Sequence, residues 1–358
     1  MERVYNFAAG PGILPEDVLE EAKRELTNYK GTGMSVMEMT HRSKVFQEIF
    51  DTAKGSLKEV LGVPDSYEIL FLQGGATLQF ASIPMNLIRG KTADYAVTGN
   101  FSGKAAEEAK KYGTVNIAYS AKETGFDSIP RQEELVFSDN AEYFYYCANN
   151  TIYGTEWQYV PDADAPVVCD MSSDILSKPV DVSKFGLIYA GAQKNMAPAG
   201  LTVVIIDRAL AGREMAITPK VMSYSQLIEN DSMLNTPPCW CIYMLSLTLD
   251  WIKRQGGLKA MEQLKNERSA LVYDVLDNSS FYIPHARKDA RSCMNVTFRT
   301  PSEELDAEFV KQAAEKGIVN IKGHRITGGL RASLYNAMPV EGAKALAEFM
   351  KEFELRHV

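Results

Sequence analysis

The chain has 358 residues, of which 46% are apolar and 23% charged, with a formal net charge of −8 at pH 7. This composition is typical of a globular protein, and the length predicts a large unit plus a smaller one. The negative charge argues against nucleic acid or an anionic membrane as a general partner. The first residues lack a signal-peptide apolar core, and the longest apolar stretch, 239–249, is too short to span a bilayer. We therefore expect a cytoplasmic protein.

Cysteine and histidine usage gives no indication of a metal site. The five cysteines form no CxxC pair, and the four histidines show neither HExxH nor Cys/His spacing. We expect no metal, and reduced, mostly buried thiols at Cys147, Cys169, Cys239, Cys241 and Cys293.

Two amphipathic helices are predicted near the N-terminus. Residues 15–29 begin with proline and acidic residues, and apolar residues then recur at helical spacing. Residues 43–61 show the same periodicity, and Gly62 is suited to end that helix.

Short apolar runs follow, separated by helical stretches or turns. Because most are continuously apolar rather than alternating, they indicate strands buried on both faces of a mostly parallel sheet. The predicted strands lie at 67–72, 93–99, 115–119, 143–149, 166–170, 187–191 and 201–207. The fold class predicted is α/β, with a doubly wound, mostly parallel sheet.

The pattern changes after Gly256 and Gly257. A long helix at 258–276 precedes a strand, a helix, two further strands and a terminal helix starting at Val340, which is an α+β order. We expect a large α/β domain at 14–257 and a smaller α+β domain formed by 1–13 together with 258–358.

Lys194 stands where a short apolar strand enters a turn rich in Ala, Gly and Pro, before a second strand. At the rim of an α/β sheet, desolvation would lower the pKa of this lysine and leave a neutral amine able to form a Schiff base. A surface lysine on a hairpin turn is the alternative.

Asp170 ends the strand that precedes the Lys194 strand. A carboxylate facing a pyridine nitrogen is what pyridoxal phosphate (PLP) requires to act as an electron sink. Strand ends of this kind meet at the ligand-binding edge of open α/β sheets. A helix N-cap is the other interpretation of Asp170. Together, the two residues favour a PLP site.

The segment QGGATLQF (73–80) follows a strand and contains small residues before Thr77. Such a turn into a helix can hold a phosphate with backbone N–H groups and a hydroxyl. It matches neither GxGxxG nor a P-loop, so NAD and ATP are not favoured. A tight turn without a ligand is the alternative.

A set of basic residues lies in polar, glycine-rich loops, which suits recognition of anionic groups better than a solvated helix face. These residues are His41, Arg42, His324, Arg325 and Arg331.

These motifs together resemble the phosphoserine aminotransferase family, which belongs to the class V, fold type I PLP enzymes. The resemblance extends from NFAAGPG (6–12) to the C-terminal helix. It is carried by GTGMSVMEMTHRS (31–43), GGATLQF (74–80), AGAQKN…PAGLT (190–202), NDSMLNTPP (230–238) and KGHRITGGLRASLYNAMP (322–339).

The resemblance implies a role for each matching residue. Lys194 is similar to the Schiff-base lysine, Asp170 to the partner of the pyridine nitrogen, and Thr151 to the threonine bonding the 3′-oxygen. Arg331 is similar to the arginine that binds the substrate α-carboxylate. The implied phosphate contacts are Ala76, Thr77 and Gln193, with Asn235 and Thr236 supplied by the partner subunit of a homodimer. The implied group for the substrate phosphate or the glutamate side chain is His41, Arg42, His324 and Arg325.

Two positions depart from some family members. Phe101 stands where those members stack a tryptophan on the PLP ring, so the ring can stack but lacks the indole N–H. Thr77 stands where some members have an arginine, which moves phosphate binding from charge towards hydroxyl and backbone donors.

The implied reaction converts 3-phosphohydroxypyruvate and L-glutamate into O-phospho-L-serine and 2-oxoglutarate, a step of serine biosynthesis. The phosphorylated hydroxythreonine precursor of vitamin B6 stays open as a second substrate. Within PLP chemistry, an alanine–glyoxylate-type aminotransferase or a cysteine desulfurase is the runner-up, and a non-catalytic α/β binding protein is the alternative of another class.

Overall fold

A seven-stranded sheet lies at the centre of residues 3–358, the part of the chain that the computed structural model describes. The α-helices are α1 (Glu16–Glu25), α2 (Lys44–Leu61), α3 (Gly75–Leu87), α4 (Asn100–Ala109), α5 (Tyr224–Glu229), α6 (Cys239–Arg254), α7 (Gly257–Asn278), α8 (Glu303–Glu315) and α9 (Val340–Leu355). The strands are β1 (Tyr5–Asn6), β2 (Tyr67–Leu72), β3 (Thr92–Val97), β4 (Thr114–Ser120), β5 (Phe144–Cys147), β6 (Asn149–Asn150), β7 (Thr155–Glu156), β8 (Val167–Asp170), β9 (Leu187–Gly191), β10 (Thr202–Asp207), β11 (Ile283–Pro284), β12 (Asn295–Arg299), β13 (Ile318–Val319) and β14 (Leu330–Ser333).

The central sheet has the order β2-β10-β9-β8-β5-β3-β4. Only β10 runs against its neighbours, pairing antiparallel with both β2 and β9, while the remaining pairs are parallel. The predicted mostly parallel α/β fold is confirmed.

Both faces of this sheet are covered, which explains the uninterrupted apolar strands. In β10, Val203 and Ile205 pack into the core shared with α2 and α6, whereas Val204 and Ile206 pack into the core shared with α3 and α4. All four side chains are 0% exposed, so the middle of the strand, between Thr202 and Asp207, is apolar and buried on both faces.

The two N-terminal helices agree with the sequence pattern to different degrees. Helix α2 begins after Ser43, whose hydroxyl accepts the Phe46 N–H, and ends at Gly62 in the left-handed conformation. Helix α1 is shorter than predicted, ending at Glu25 rather than near Tyr29. The Asn28 side chain accepts the Gly33 N–H at 2.7 Å, so this asparagine draws the chain into a turn instead of extending the helix.

The C-terminal elements form a second, smaller core. Strands β11, β12 and β14 make an antiparallel sheet, with α7, α8 and α9 contributing Val272, Phe309 and Leu346 to the core beside it. The N-terminal strand β1 pairs in parallel with β13, and Phe7 packs in the same core.

All five cysteines are free; Cys147, Cys169 and Cys241 are buried, and Cys239 and Cys293 are half-buried. Among the helices of residues 3–358, none combines the length and apolar character needed to cross a bilayer. The same residues contain no cluster of three or more His, Cys, Asp or Glu side chains arranged to hold a metal ion.

Candidate active site

Lys194 lies in the turn between the antiparallel strands β9 and β10, at one edge of the central sheet. Burial lowers the pKa of Lys194, and the positive charge of Arg331 acts in the same direction, while Asp170 opposes the shift. The N-terminal segment packs beside this lysine: the Gly12 N–H donates to the Gln193 carbonyl at 2.7 Å, and the Gly10 backbone lies along the lysine side chain. Lys194 therefore has a buried amine that loses its proton more readily than the amine of an exposed lysine.

Asp170 ends β8, directly opposite Tyr189 of the neighbouring parallel strand β9. The connection between these strands contains turns and a 3₁₀ turn at Val182–Lys184 rather than the α-helix of a βαβ unit. Asp170 is 5% exposed, and its carboxylate accepts hydrogen bonds from the Ser172 N–H at 2.9 Å, the Ser172 hydroxyl at 2.6 Å and the Tyr189 hydroxyl at 3.0 Å. These bonds fix a buried carboxylate at the same sheet edge as Lys194.

Phe101 supplies an aromatic surface beside the amine. It lies in the first turn of α4, and the Lys194 Nζ atom is 5.3 Å from the ring centroid. Lys104, one helical turn later, places its Nζ atom 5.9 Å from the same centroid.

The N-terminus of α3 contains Ala76 and Thr77 and follows Gly74, whose φ of 91° favours glycine. Among the described residues no side chain caps this helix, so its first-turn N–H groups are available to an anion. Beside it, the Gln73 Nε2 atom is buried without a hydrogen-bond partner in residues 3–358, while the Gln73 Oε1 atom accepts from Asn235 at 2.7 Å. Unpaired donors therefore converge next to this helix end.

The basic residues of the C-terminal part cluster near the site. Arg331 on β14 is half-buried, donates to the Thr151 carbonyl at 2.9 Å and contributes to lowering the pKa of Lys194. His324 has its pKa lowered by burial and by the positive charges of Arg331, Arg325 and Lys104. Three cations close enough to affect one imidazole make this region electropositive.

The remaining predicted site residues are more exposed to solvent. His41 is half-buried and Arg42 exposed, in the turn before α2, and no hydrogen bond or ion pair within residues 3–358 joins either one to the other candidates. Asn235 and Thr236 are both exposed. A cleft of about 1150 Å³ lies between the N-terminal half of α3 and α4, lined by Thr77, Lys104 and Tyr153 among others but not by Lys194 or Asp170.

The sequence analysis did not identify four residues of this site, which are Gln73, Lys104, Ser172 and Tyr189. Serine two residues after a strand-end aspartate is a pattern typical of a local turn, so Ser172 could have been inferred from DMSS. The contact of Tyr189 with Asp170 depends on strand pairing, which the sequence does not display.

The residues present fit PLP. A sheltered amine at Lys194, a fixed carboxylate at Asp170, an aromatic ring at Phe101 and unpaired donors at the α3 N-terminus match the aldehyde, ring nitrogen, ring face and phosphate of that cofactor.

Comparison with known proteins agrees with this geometry. The family model for class-V aminotransferases matches residues 4–346. A phosphoserine aminotransferase from Bacillus cereus is 51% identical over the full length of both chains. The structure of phosphoserine aminotransferase from Bacillus circulans subsp. alkalophilus superposes with a TM-score of 0.98 at 45% identity, covering both chains completely. PLP-bound phosphoserine aminotransferase from Trichomonas vaginalis gives a TM-score of 0.91 at 39% identity, covering 98% of this chain and all of the other. This chain belongs to the class-V aminotransferase family.

Proposed function

We propose that this chain is a PLP-dependent aminotransferase that converts 3-phosphohydroxypyruvate and L-glutamate into O-phospho-L-serine and 2-oxoglutarate, in serine biosynthesis. Full-length identity of about 50% to phosphoserine aminotransferases of several species supports the substrate assignment. The observation that carries the chemistry is the sheltered Lys194 amine at the same sheet edge as the Asp170 carboxylate.

The chemistry divides between the cofactor and the chain. PLP, when bound, supplies an electrophilic carbonyl carbon and an electron-withdrawing ring. Lys194 would hold the cofactor covalently through its amine. When free, the same amine would be the group that moves a proton between the substrate Cα and the cofactor's C4′ carbon. Asp170 would face the ring nitrogen, Phe101 would cover a ring face and Thr151 would bond the 3′-oxygen.

The same proposal assigns the anion-binding residues. Arg331 binds the α-carboxylate that both substrates share. A second group binds either the substrate phosphate or the glutamate side-chain carboxylate, and consists of His41, Arg42, His324 and Arg325. The cofactor phosphate is held by Ala76, Thr77, Gln193, Asn235 and Thr236. The electropositive surroundings of His324 support the second assignment, because hydrogen bonds from cationic side chains to a phosphate or carboxylate are stronger than those between neutral groups.

The four-carbon homologue 4-phosphohydroxythreonine has the same amino acid end and phosphate end as phosphoserine. We propose it as a second substrate, which would connect this chain to pyridoxine biosynthesis.

We propose a division into a large PLP-binding domain at 14–257 and a small domain formed by 1–13 and 258–358. The pairing of β1 with β13 and the position of Phe7 in the C-terminal core support the assignment of the first residues to the small domain.

The active unit proposed is a homodimer with shared sites. Large apolar side chains stand exposed before the Asn235 segment, with Ile217 at 66% and Val221 at 57%, and Val221 lines a cavity together with Asn235. Exposed apolar groups of this kind are typical of interfaces.

We also propose a cytoplasmic location. Free cysteines support a reducing, cytoplasmic compartment.

A cysteine desulfurase is not favoured by the thiols. Such an enzyme needs a cysteine that ionises readily, whereas burial raises the pKa of Cys147, Cys169, Cys239 and Cys241.

The test is spectroscopic. Purified protein should show a visible absorption band that phosphoserine bleaches in a single turnover, and Lys194→Ala should abolish turnover. Near-normal transamination by Lys194→Ala would contradict the assignment. A non-catalytic binding protein would show no band.

A further inference from the structure

Both oxygens of the Asp170 carboxylate accept hydrogen bonds from neighbouring residues. Its Oδ1 atom accepts the Ser172 N–H and hydroxyl, and its Oδ2 atom accepts the Tyr189 hydroxyl. The Ser172 oxygen in turn accepts the Gly191 N–H at 3.0 Å, which anchors this serine to the end of β9. Two adjacent strands therefore fix the carboxylate from both sides.

Tyr189 is itself part of a longer hydrogen-bond chain. Its hydroxyl lies 2.7 Å from the hydroxyl of Tyr145 on β5. Since a phenol has one proton and Tyr189 gives that proton to Asp170, the proton in the second bond belongs to Tyr145. Tyr145 is 1% exposed and Tyr189 0%, and burial raises the pKa of both phenols well above the ordinary value. Both stay protonated, so the bonds run from Tyr145 to Tyr189 to Asp170.

Hydrogen bonds to an ionised carboxylate stabilise its charge and make it a weaker base. Burial strengthens each bond, and a donor that itself accepts a hydrogen bond becomes a better donor. A carboxylate facing a pyridine nitrogen competes with that nitrogen for one proton, so the donors on Asp170 influence where the proton resides.

We propose that Ser172 and Tyr189, with Tyr145 behind Tyr189, are positioning residues whose hydrogen bonds to both oxygens of Asp170 favour the shared proton on the cofactor's ring nitrogen. This inference rests on the proposed function, which places Asp170 at that nitrogen. Ser172 and Tyr189 act through their hydrogen bonds to Asp170.

The test uses holoenzyme reconstituted with PLP carrying ¹⁵N at the ring nitrogen, whose NMR chemical shift reports protonation of that atom. Tyr189→Phe should move the shift towards the unprotonated value and lower kcat roughly tenfold, as expected for loss of one bond to a charged group. Ser172→Ala, on the opposite oxygen, should act in the same direction. Tyr145→Phe should have a smaller effect, about twofold, because it only weakens the Tyr189 bond.

A double-mutant cycle separates the hydrogen-bond chain from general damage to the core. In the Tyr189→Phe background, Tyr145→Phe should add nothing, because the connection to Asp170 is already lost. Tyr143→Phe is the matched control: it removes a buried hydroxyl, bonded to Tyr95 at 2.6 Å, that has no hydrogen bond to Asp170. Its chemical shift and kcat should equal those of the wild type.

Three results would overturn the inference. If Asp170→Asn changes the ¹⁵N shift but Tyr189→Phe and Ser172→Ala do not, the positioning role fails while the place of Asp170 stands. If Asp170→Asn itself leaves the shift unchanged, the placement of Asp170 in the proposed function fails, and the inference fails with it. An equal response to Tyr143→Phe would also refute the positioning role.

Discussion

Arg331 and the basic residues of the second group occupy different environments, which bears on how substrates are distinguished. Arg331 is half-buried and anchored to the Thr151 carbonyl, whereas Arg42 and Arg325 are exposed. The fixed guanidinium of Arg331 suits the α-carboxylate that all the substrates share. The exposed side chains of Arg42 and Arg325 suit a distal group that differs between substrates.

We expect Arg331→Ala to slow the half-reactions of phosphoserine, glutamate and alanine alike. Arg42→Ala and Arg325→Ala should slow phosphoserine and glutamate but spare alanine, which has no distal charge. Each lost contact should cost about 1.5–3 kcal/mol, or roughly tenfold to a hundredfold in kcat/KM. His324, whose lowered pKa leaves it neutral above pH 7, should matter less at pH 8. Single-turnover bleaching of the visible band measures each case; equal slowing of all three donors by Arg42→Ala would remove the distal role.

Asp174 is a buried carboxylate four residues after Asp170. Burial and the charge of Glu156 raise its pKa from 3.8 to about 7, although Lys178 and Lys265 oppose the shift. Its Oδ1 atom is buried without a partner in the part of the chain described. Between pH 4 and 7 Asp174 therefore binds a proton more readily in the folded state than in the unfolded chain. The contribution of Asp174 to the free energy of unfolding falls as pH rises through this range.

Because asparagine is neutral at every pH, Asp174→Asn should stabilise the protein at pH 8 by on the order of 1–4 kcal/mol, with no gain near pH 4. Thermal unfolding midpoints across pH 4–8 test this. Asp139→Asn, which changes an exposed carboxylate, is the control and should show no such trend. A gain for Asp174→Asn that is the same at both pH values would rule out titration of Asp174 as its source.

At the scale of elements, the N-terminal segment is tied to the turn that holds Lys194. A Cβ atom on Gly12 would lie 2.6 Å from the Lys194 carbonyl oxygen and 2.7 Å from the Tyr335 ring, distances too short without movement of the main chain. The position of Lys194 therefore depends on a segment about 180 residues away in sequence.

Gly12→Ala should destabilise the protein by about 1–3 kcal/mol, the usual cost of overpacking, and weaken PLP retention by displacing Lys194. Gly55→Ala in α2 is the matched control, since a Cβ there meets nothing within 4 Å and should stabilise by about 0.5–1 kcal/mol. Thermal unfolding and cofactor release during dialysis check both variants. Unchanged cofactor retention in Gly12→Ala would show that this contact does not control the lysine.

At the scale of the whole molecule, the proposed dimer makes a prediction that Asn235 can test. In a single chain Asn235 contacts Gln73 at the N-terminus of α3. In a shared site, Asn235 and Thr236 would complete the partner's phosphate site instead. Sedimentation should give a two-fold dimer at assay concentrations.

Mixing Lys194→Ala with an Asn235→Ala, Thr236→Ala double variant distinguishes these arrangements. If sites are shared, one site of each mixed dimer combines an intact Lys194 from one chain with intact Asn235 and Thr236 from the other. Random exchange makes about half of the dimers mixed, so about a quarter of all sites should be intact. Activity should rise on mixing from near the level of the separate variants. No rise, despite demonstrated subunit exchange, would place Asn235 and Thr236 in the site of their own chain.

The sequence alone determined much of the fold because local patterns carry the physical requirements of each element. Uninterrupted apolar runs required strands covered on both faces, as β10 shows, and Ser43 and Gly62 marked the ends of α2. The strand-end positions of Asp170 and Lys194, together with the motifs, also led to the family and its cofactor, which comparison with known proteins confirmed.

Tertiary structure decided the features that depend on groups distant in sequence. The hydrogen bond from Tyr189 to Asp170 follows from the pairing of β8 with β9, and the Gln73–Asn235 contact joins residues 162 positions apart. The contact of Gly12 with the Lys194 turn likewise depends on chain packing. Residue types and local spacing specify which elements form, whereas hydrogen bonds and close contacts between elements exist only after the strands have paired and the cores have packed.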